Sequence, residues 1–450
     1  MRKLLLTLFV GSMLQMHAAD YLVSDFGAKS DTTVLSTQAV QQAIDACSAA
    51  GGGRVVVPTG QYKIGTIVLK SNVDLHLEHG ATLFGSTDLN DYLPVRSSYV
   101  SLRTQTTTIQ LIYADSVENV SISGTGTIDG RGRSFKKLSW NDEGITRPHL
   151  LRFIQSRDIT VRDVTLKNSG CWMQHYLACD RLLIDGIKVT NRNNYNNDAL
   201  DLDGCHEVVV RGMLADSDDD GITLKSTSPR LCENIRISDC VVSSHCNAVK
   251  LGTETNGGFR NISISGIVVK PSYDQREKFF GQWIGSSALS LEIVDGGVME
   301  NVSVSDMTVE GTESPIFVRL GHRGRGYREG QHIDQVGSID GVSISNIRIA
   351  KAGRYGCSIT GLPGHPVRNV SLRNIHISHA GGFADAKELP ALTAAVADEK
   401  AAEYPESTMW GPLPAKGFFV RHAENIAFDD IEIRTEAPDL RPEYVKEDCR

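Results

Sequence analysis

The chain has 450 residues and a formal net charge of −8, with 40% hydrophobic and 22% charged residues. This composition is ordinary for a folded globular protein and argues against long disordered regions. Nucleic acid is not an expected partner, because proteins that bind it usually carry a basic face. Any site for an acidic ligand must therefore rely on local cations.

Residues 1–19 have the pattern of a signal peptide. Arg2 and Lys3 precede an apolar stretch that ends at Leu14, and small residues follow before position 20. The apolar run is short for a membrane span. We therefore expect cleavage and export to the periplasm or the medium, leaving residues 20–450 as one catalytic domain with no membrane span.

A helix is predicted near the start of this domain. The segment 36–50 begins with a cap-like Ser36, has helical apolar spacing and ends at the glycines 51–53. A solenoid of strands exposes unpaired edges at its ends, which proteins usually cover. We interpret this segment as a capping helix.

A short phrase rich in Val and Ile, with alternating apolar and polar residues, recurs along most of the chain. Examples are SRDITVRDVTL at 156–166, FRNISISGIVV at 259–269 and VRNVSLRNIHI at 367–377. The alternation is typical of β-strands. Counted from the third residue of each phrase, starting at Asp158, the steps are 23, 26, 27, 27, 40, 40, 28 and 56 residues.

Steps in the twenties predict an all-β fold, a parallel β-helix in which each coil buries its apolar face against its neighbours. A β-propeller would need about forty residues per repeat, and most steps are too short for that. The longer steps predict loop insertions on the coils. The segment 383–416 is a further predicted insertion, with an Ala-rich helical piece followed by a stretch punctuated by proline.

The nine cysteines are odd in number, and export permits a disulfide, but the spacing fixes no pairing. Cys179, Cys205 and Cys232 stand at the same place in successive repeats. This position favours stacked, buried thiols over a metal site, and no Cys or His spacing indicates zinc.

The densest acidic region spans three consecutive coils that align without gaps: NDALDLD at 197–203, DDGITLK at 219–225 and CNAVKLG at 246–252. Strand side chains alternate between the two faces. We expect one row of side chains to point inward: Leu200, Ile222 and Val249. The residues that follow them in each strand should point outward: Asp201, Thr223 and Lys250, together with Asp203 and Lys225.

Asp198, Asp219 and Asp220 precede these strands on neighbouring coils, about 4.8 Å apart. Like charges at this separation raise the pKa of one carboxyl group, as acid catalysis at a glycosidic bond requires. Inverting glycosidases hold their acid and base roughly 6.5–9.5 Å apart. The alternatives are a ladder of turn-forming aspartates or a calcium site.

These motifs resemble glycoside hydrolase family 28, the polygalacturonase-like pectin hydrolases. That family carries an Asn-X-Asp motif and an Asp-Asp motif one coil later, matched here by Asn196-Asn197-Asp198 and Asp219-Asp220. The segment Asp25-Phe26-Gly27-Ala28 is similar to the entry of the wider pectinase group, and Asn168-Ser169-Gly170-Cys171-Trp172 with His175 also fits. The resemblance covers most of the chain and implies a right-handed parallel β-helix.

Two features depart from the family pattern. The usual Gly-His-Gly is replaced by Ser244-His245-Cys246-Asn247, in which Asn247, not His245, falls under Asp220 in strict coil register. The usual Arg-Ile-Lys, which holds a uronate carboxylate, is missing. Lys225 or Lys250 can take its place, as can the basic stretch 319–328.

The resemblance implies inverting hydrolysis of α-galacturonosidic bonds in an acidic pectic polysaccharide or oligosaccharide, without a metal or organic cofactor. Asp219 is the expected acid, and Asp198 and Asp220 jointly activate water. The full set of candidate site residues adds His245 as catalytic and the following as substrate-binding: Asn197, Asp201, Lys225, Asn247, Lys250, Arg319 and Trp410.

Two alternatives stay open: β-elimination with calcium, as in pectate lyases, and a non-catalytic carbohydrate-binding β-helix. The long loop insertions predicted on consecutive coils favour exo action or a preference for oligosaccharides. We expect the protein to act as a monomer.

Overall fold

The computed structural model describes residues 20–139, 141–272 and 284–450. The segment expected to be a signal peptide lies outside these ranges, so export stays a prediction. Within the described residues, no helix is long and apolar enough to cross a membrane.

In the described ranges the fold consists of thirty-one strands. In chain order they are β1 (Asp20–Leu22), β2 (Gly53–Val57), β3 (Gly60–Ile64), β4 (Ile67–Val68), β5 (Val73–Leu77), β6 (Ala81–Gly85), β7 (Gln110–Asp115), β8 (Glu118–Gly124), β9 (Thr127–Asp129), β10 (His149–Ile154), β11 (Arg157–Arg162), β12 (Thr165–Lys167), β13 (Gln174–Leu177), β14 (Asp180–Asp185), β15 (Lys188–Asn191), β16 (Leu200–Asp203), β17 (His206–Arg211), β18 (Leu214–Ser217), β19 (Ile222–Ser226), β20 (Cys232–Ser238), β21 (Val241–Ser244), β22 (Asn247–Thr255), β23 (Gly258–Val269), β24 (Ser287–Ile293), β25 (Val298–Glu310), β26 (Ile316–Leu320), β27 (Ser338–Ala352), β28 (Cys357–Thr360), β29 (Val367–His379), β30 (Phe418–Thr435) and β31 (Tyr444–Cys449).

The strands form three parallel ladders, and each coil of the chain contributes to all three. The first ladder runs through β2, β5, β8, β11, β14, β17 and β20. The second runs through β3, β6, β9, β12, β15, β18 and β21. The third runs through β7, β10, β13, β16, β19, β22, β24, β26 and β28. From β23 onward, one long strand per coil serves the first two ladders. The predicted parallel β-helix is confirmed.

The third residue of the recurring phrase has a structural reason. It adopts the left-handed conformation in every copy counted above, from φ 56° at Asp158 to φ 55° at Asn425. Asn and Gly tolerate this conformation best. Where Asn recurs, the amides form a ladder between coils, as Asn261 Nδ2 donates to Asn234 Oδ1 at 3.0 Å and Asn301 Nδ2 donates to Asn261 Oδ1 at 2.8 Å.

The core is a column of apolar side chains stacked coil on coil. Leu200 pairs with Ile222, and Ile222 pairs with Val249, in the predicted register. All three are fully buried. The cysteines follow the same logic: all nine are free thiols, and Cys179, Cys205 and Cys232 are buried on successive coils.

Two α-helices accompany the strands. Helix α1 (Thr37–Ala49) follows Ser36, ends before Gly51 and buries its apolar side against the first coil. The predicted N-terminal helix is therefore present. Helix α2 (Leu389–Ala395) is the helical piece expected within the insertion at 383–416.

Candidate active site

The acidic motifs meet at the corner that leads into the third ladder. Asp198 precedes β16, the Asp219-Asp220 pair precedes β19, and Asn247 opens β22. Backbone bonds hold these corners in line, since the N–H of Ala199 donates to the Asp220 carbonyl at 3.0 Å and that of Gly221 to the Asn247 carbonyl at 2.8 Å. The coil register predicted from the sequence thus places the three motifs on adjacent coils.

Asp220 is held in one position by partners from the next coil. Its Oδ1 accepts a hydrogen bond from Asn247 Nδ2 at 2.8 Å, and its Oδ2 lies 3.2 Å from Lys250 Nζ. Asn247 is in turn fixed by Ser287, whose hydroxyl donates to its Oδ1 at 2.6 Å. Asn247 therefore orients Asp220.

Asp219 differs from Asp220 in its surroundings. It is half-buried, and its Oδ1 accepts a hydrogen bond from the Asp220 backbone N–H at 3.0 Å. Burial and then the charge of Asp220 raise the pKa of Asp219 to about 6, against the opposing charges of Lys250 and Lys225. A carboxyl group with this pKa still carries its proton in mildly acidic solution.

Asp198 is almost fully buried, with 3% of its surface exposed. Burial raises the pKa of Asp198 well above its ordinary value, and the charges of Asp201 and Asp219 add to the rise. Its nearest cation is Lys225, at 3.8 Å from Oδ2. The site thus contains several carboxyl groups that compete for protons, as expected for like charges brought together.

Lys225 lies between several of the acidic residues of the site. Its Nζ lies 3.4 Å from Asp201 and 3.7 Å from Glu254, and it sits 4.8 Å from the ring centre of Trp172. Burial raises the pKa of Asp201 to about 7, although the charge of Lys225 opposes the shift.

Asp201, Thr223 and Lys250 were predicted to point outward, and they lie on the outer face of the third ladder without being open to solvent. They face away from the core, but all three are 1% exposed or less. The reason is that long loops cover this face of the third ladder.

The covering loops were only partly anticipated. In the loop 93–108, Arg103 reaches the site and pairs with Glu143 and Glu254, both at 2.7 Å. The loop 321–337 brings Arg325 to 2.5 Å from Glu254. The two loops meet where Gln105 donates to the Tyr327 carbonyl at 2.5 Å.

The insertion at 383–416 covers the same side. Tyr404 lies above the site with 56% of its surface exposed. Its hydroxyl oxygen lies 3.3 Å from Lys250 Nζ and accepts a hydrogen bond from Thr253 at 2.9 Å. The Arg323 guanidinium lies 5.9 Å from its ring centre. The insertion therefore brings an exposed aromatic ring next to the lysine that pairs with Asp220.

Arg319 and Trp410 lie where the insertion meets the coils. Arg319 is buried, donating to the carbonyls of Gly361 at 3.2 Å and Glu399 at 2.6 Å, and its guanidinium lies 5.1 Å from the Trp410 ring centre. None of the contacts described for these two residues involves the site carboxylates. They join the insertion to the coils.

Asn197 and His245 also have places set by the backbone. The Asn197 amide accepts from the Asn194 backbone N–H at 2.5 Å and donates to the Cys171 carbonyl at 2.9 Å, so it shapes the turn before Asp198. His245 donates its backbone N–H to the Ser217 carbonyl at 3.3 Å. The sulfur of the next residue, Cys246, lies near the Asp219-Asp220 pair.

Among the described residues, Asp219, Asp220 and Cys246 form the group whose ligand atoms lie within 4.8 Å of one another, as a metal site requires. Calcium needs six to eight oxygen ligands, which two carboxylates and a thiol do not supply. Lys250 already neutralises Asp220. The donor set therefore does not suit calcium.

Three residues of the site were not predicted from the sequence: Arg103, Glu254 and Tyr404. Each belongs to a loop or strand end that reaches the site only through folding. A weak signal existed for Glu254, which lies two alternations after Lys250 on the same strand. Arg103 and Tyr404 lie 95 residues before and 206 residues after Asp198 (198 − 103 and 404 − 198), and no spacing rule links them to it.

The sequence model of glycosyl hydrolases family 28 matches residues 47–395. The chain belongs to this family. Family membership makes it a glycoside hydrolase. A probable polygalacturonase of Vitis vinifera is 26% identical over 395 residues, which are 83% of this chain and 76% of that protein. An exopolygalacturonase of Platanus acerifolia is 22% identical over 383 residues, 82% of this chain and 92% of that protein.

The fold has relatives of known structure. A hyperthermoactive exopolygalacturonase from Thermotoga maritima superimposes with a TM-score of 0.67 at 24% identity, over 81% of this chain and 88% of that one. At this identity the likeness concerns the fold, a right-handed parallel β-helix, as predicted.

Proposed function

We propose that this family 28 hydrolase cleaves α-galacturonosidic bonds in pectin-type polysaccharides with inversion of configuration. The observation that carries the proposal is the contrast between two adjacent carboxyl groups. Asp219 is half-buried with its pKa raised to about 6, whereas Asp220 is held by Asn247 and Lys250. Paired carboxyl groups in different environments are what separate an acid from a base.

In this mechanism Asp219 donates its proton to the oxygen of the leaving sugar. Asp220, together with Asp198 on the preceding coil, orients a water molecule and accepts its proton as the water attacks the anomeric carbon from the opposite side. The water adds to the sugar while the glycosidic oxygen leaves as a hydroxyl, so one step inverts the configuration. Asn247 acts as a positioning residue, because it fixes Asp220.

The cations around the carboxylates support a uronate substrate. Arg325 is the most exposed of them, with 41% of its side chain accessible beside Glu254. An arginine can hold a carboxylate through two parallel hydrogen bonds. Several relatives, among them the Vitis vinifera and Platanus acerifolia proteins, are named for polygalacturonase activity. We infer the substrate class of this chain from these cations and from the names of its relatives.

Elimination by a lysine base is not favoured by the charges. Burial lowers the pKa of Lys250, but the charge of Asp220 together with Tyr404, Glu292 and Glu406 outweighs burial, so the pKa lies well above the ordinary value. The pKa of Lys225 is likewise raised by Asp201 and Glu254 against the effect of burial. Lysines held in the charged form are poor general bases.

We further propose exo action or a preference for oligosaccharides. The loops 93–108 and 321–337 and the insertion 383–416 all reach the side of the carboxylates, where they cover a groove that would otherwise be open. A groove closed at one end accepts a chain terminus. The Platanus acerifolia relative is named an exopolygalacturonase.

The test is proton NMR of early products from an oligogalacturonate with α-linkages, combined with a measurement of reducing ends. The β-anomer should appear first and then mutarotate. An initial α-anomer would contradict inversion, an unsaturated product that absorbs ultraviolet light would indicate elimination, and no release from any galacturonan would contradict the substrate class.

A further inference from the structure

A basic segment stands beside the site on its N-terminal side. The residues 131–137 read RGRSFKK, and Arg131, Arg133 and Lys136 are exposed. In the described part of the chain, no carboxylate pairs with these three side chains. The site cations Arg103, Lys225 and Lys250 are all paired. Unpaired cations close together repel one another, so a segment like this in a protein of net charge −8 favours an anionic ligand.

The segment is tied to the turn that carries Asp198. Asn194 donates through Nδ2 to the carbonyls of Gly132 and Phe135, at 3.0 and 2.6 Å. The Asn194 backbone N–H donates in turn to Asn197 Oδ1 at 2.5 Å. Because Asn194 and Asp198 are four residues apart, their Cα atoms are separated by at most about 14 Å. The basic segment therefore lies within a few sugar rings of the carboxylates.

The surface at the basic segment has the donors that an acidic sugar needs. A cleft of about 360 Å³ is lined by Arg131 and Arg133 together with the amides Asn168 and Asn193. The one carboxylate in its lining, Asp129, already accepts from the Arg131 backbone N–H at 2.9 Å and from Asn168 Nδ2 at 3.0 Å.

Next to this cleft, Tyr195 has 40% of its surface exposed, and the Lys137 ammonium lies 4.0 Å from its ring centre. Aromatic rings at ligand sites provide a flat apolar surface that a sugar face can cover. Guanidinium, amide and aromatic groups thus occur together on the surface next to the turn that carries Asp198.

We propose that the segment 131–137 is a distal binding site for the carboxylates of a polyuronate chain whose reacting end lies at Asp219. This inference rests on the proposed function and extends it. The loops 321–337 and 383–416 belong to later coils than the carboxylates, and the loop 93–108 packs over β10 on an earlier coil, where Arg152 donates to the carbonyls of Thr107 and Arg103. The basic segment also belongs to an earlier coil, on the side of the turn that carries Asp198. A chain whose end is enclosed by those loops leaves the site over the basic segment, where each further uronate meets a cation.

The test compares two triple variants with equal change in charge. Arg131→Asn/Arg133→Gln/Lys136→Gln removes the basic segment, and asparagine suits the left-handed backbone of position 131, where φ is 53°. Arg162→Gln/Arg236→Gln/Arg373→Gln removes three exposed arginines from the first ladder. Thermal unfolding checks that both variants stay folded.

Binding is measured by calorimetry in an Asp219→Asn background, with oligogalacturonates of rising length and their fully methyl-esterified forms. For the longest acidic oligomers the basic-segment variant should bind about tenfold more weakly, with a shallower salt dependence. The loss should shrink for the shortest oligomers and vanish for the neutral esters. The first-ladder variant should bind every oligomer like the Asp219→Asn parent.

Equal affinity of both variants for long acidic oligomers would overturn the distal site, and so would an equal loss for acidic and esterified oligomers. These outcomes are independent of the proposed reaction, which is judged by product release from the wild-type enzyme. A wild-type enzyme that hydrolyses galacturonan while the two variants bind alike would leave the reaction standing and remove the distal site.

Discussion

Asp219 and Asp220 are neighbours in sequence, yet their side chains have different partners. The backbone N–H of Asp220 is the one hydrogen-bond donor described for the Asp219 carboxyl group, whereas Asp220 receives an amide and an ammonium group from the next coil. Two adjacent carboxyl groups in different surroundings can divide the roles of acid and base between them. The difference arises from coil stacking, because the residues on the next coil fall under Asp220.

Replacing Asp219 by Asn should lower kcat by about 10²–10⁴-fold, because the transferable proton is lost while the side-chain volume is kept. Steady-state kinetics on the best galacturonan substrate measures the effect. Asp216→Asn is the matched control. Asp216 lies on β18, shortly before the Asp219-Asp220 pair in the sequence, and its carboxylate is paired with Arg192 at 2.9 Å. If the Asp219 variant turned over at nearly the wild-type rate, another residue would have to be the acid.

The pH dependence follows from the same group. Asp219 must be protonated to act, and its pKa is raised to about 6. The value of kcat should therefore fall as the pH rises through about 6, which is the sign expected for a required acid. A pH–rate profile with saturating substrate measures this limb. A rate that stays constant up to pH 8 would argue against Asp219 as the acid.

Replacing Lys250 by Met should move the alkaline limb upward. The charge of Lys250 lowers the pKa of Asp219, so its removal raises that pKa and keeps the acid protonated to higher pH. The maximal rate should fall at the same time, because Asp220 loses its cation. Lys270→Met, which changes an exposed lysine at the end of β23, should leave the limb where it is. A downward shift in the Lys250 variant would contradict the assignment.

The reactive residues could be predicted from the sequence because they lie within coils. Alternation and a 21-residue gap were enough to place Asp198 and Asp219 on adjacent coils and to set Asn247 below Asp220. The partners supplied by loops could not be found in this way. Arg103 and Tyr404 reach the site through chain paths that no periodicity describes, since a loop has no repeating pattern of burial.

At the scale of elements, the insertion 383–416 is anchored to the coils by its own small core. Trp410 packs in an apolar cluster with Phe317, Val396, Leu413, Ala415 and Phe419. Its indole N–H donates to the Asp398 carbonyl at 3.0 Å, and Arg319 stacks on its ring. These contacts of Trp410 fix the insertion that holds Tyr404 near Lys250, and substrate binding by Trp410 stays a prediction.

Replacing Trp410 by Ala should release the insertion without unfolding the coils. Truncating a buried tryptophan typically costs 3–5 kcal/mol, and here the loss falls on the satellite cluster. Limited proteolysis followed by mass spectrometry should show faster cleavage within 383–416. The KM for short oligogalacturonates should rise as Tyr404 loses its place.

Trp410→Phe is the control for this effect, because it keeps a ring for Arg319 and most of the apolar contact. It should be cleaved more slowly than the Ala variant. Equal protection of the Ala variant and the wild type would show that the insertion is held by other contacts, such as the ion pair between Arg421 and Glu399 at 2.6 Å.

The elements were predictable to different degrees. Strands recur with a fixed pattern, so their stacking order followed from the steps between Asp158 and Asn425. The helix after Ser36 followed from its apolar spacing, whereas the Ser36 side chain hydrogen-bonds to Lys29 and forms no capping hydrogen bond. The 40-residue steps showed that loops exist but not where they fold. The direction of a loop depends on single contacts, such as the one between Gln105 and Tyr327.

At the scale of the whole molecule, loops from distant parts of the sequence cover the groove along the third ladder of the β-helix. The loops 93–108 and 321–337 meet across the third ladder, and the insertion 383–416 adds Tyr404 at the later coils. The basic segment 131–137 lies beside the turn that carries Asp198, on the side of the earlier coils. We propose that the loops close one end of the groove and leave the other accessible to the polymer.

This asymmetry predicts how a polymer is shortened. An enzyme that admits only a chain end releases one small product at a time, so reducing ends accumulate while the polymer stays long. The viscosity of a polygalacturonate solution should therefore fall slowly relative to the reducing ends released. Parallel viscometry and reducing-end assays on one sample measure the ratio, and the Trp410→Ala variant, with its insertion loosened, should shift it towards a faster viscosity loss. A steep viscosity drop at the first few per cent of cleavage by the wild-type enzyme would show attack within the chain, and the loops would then have to leave the groove open at both ends.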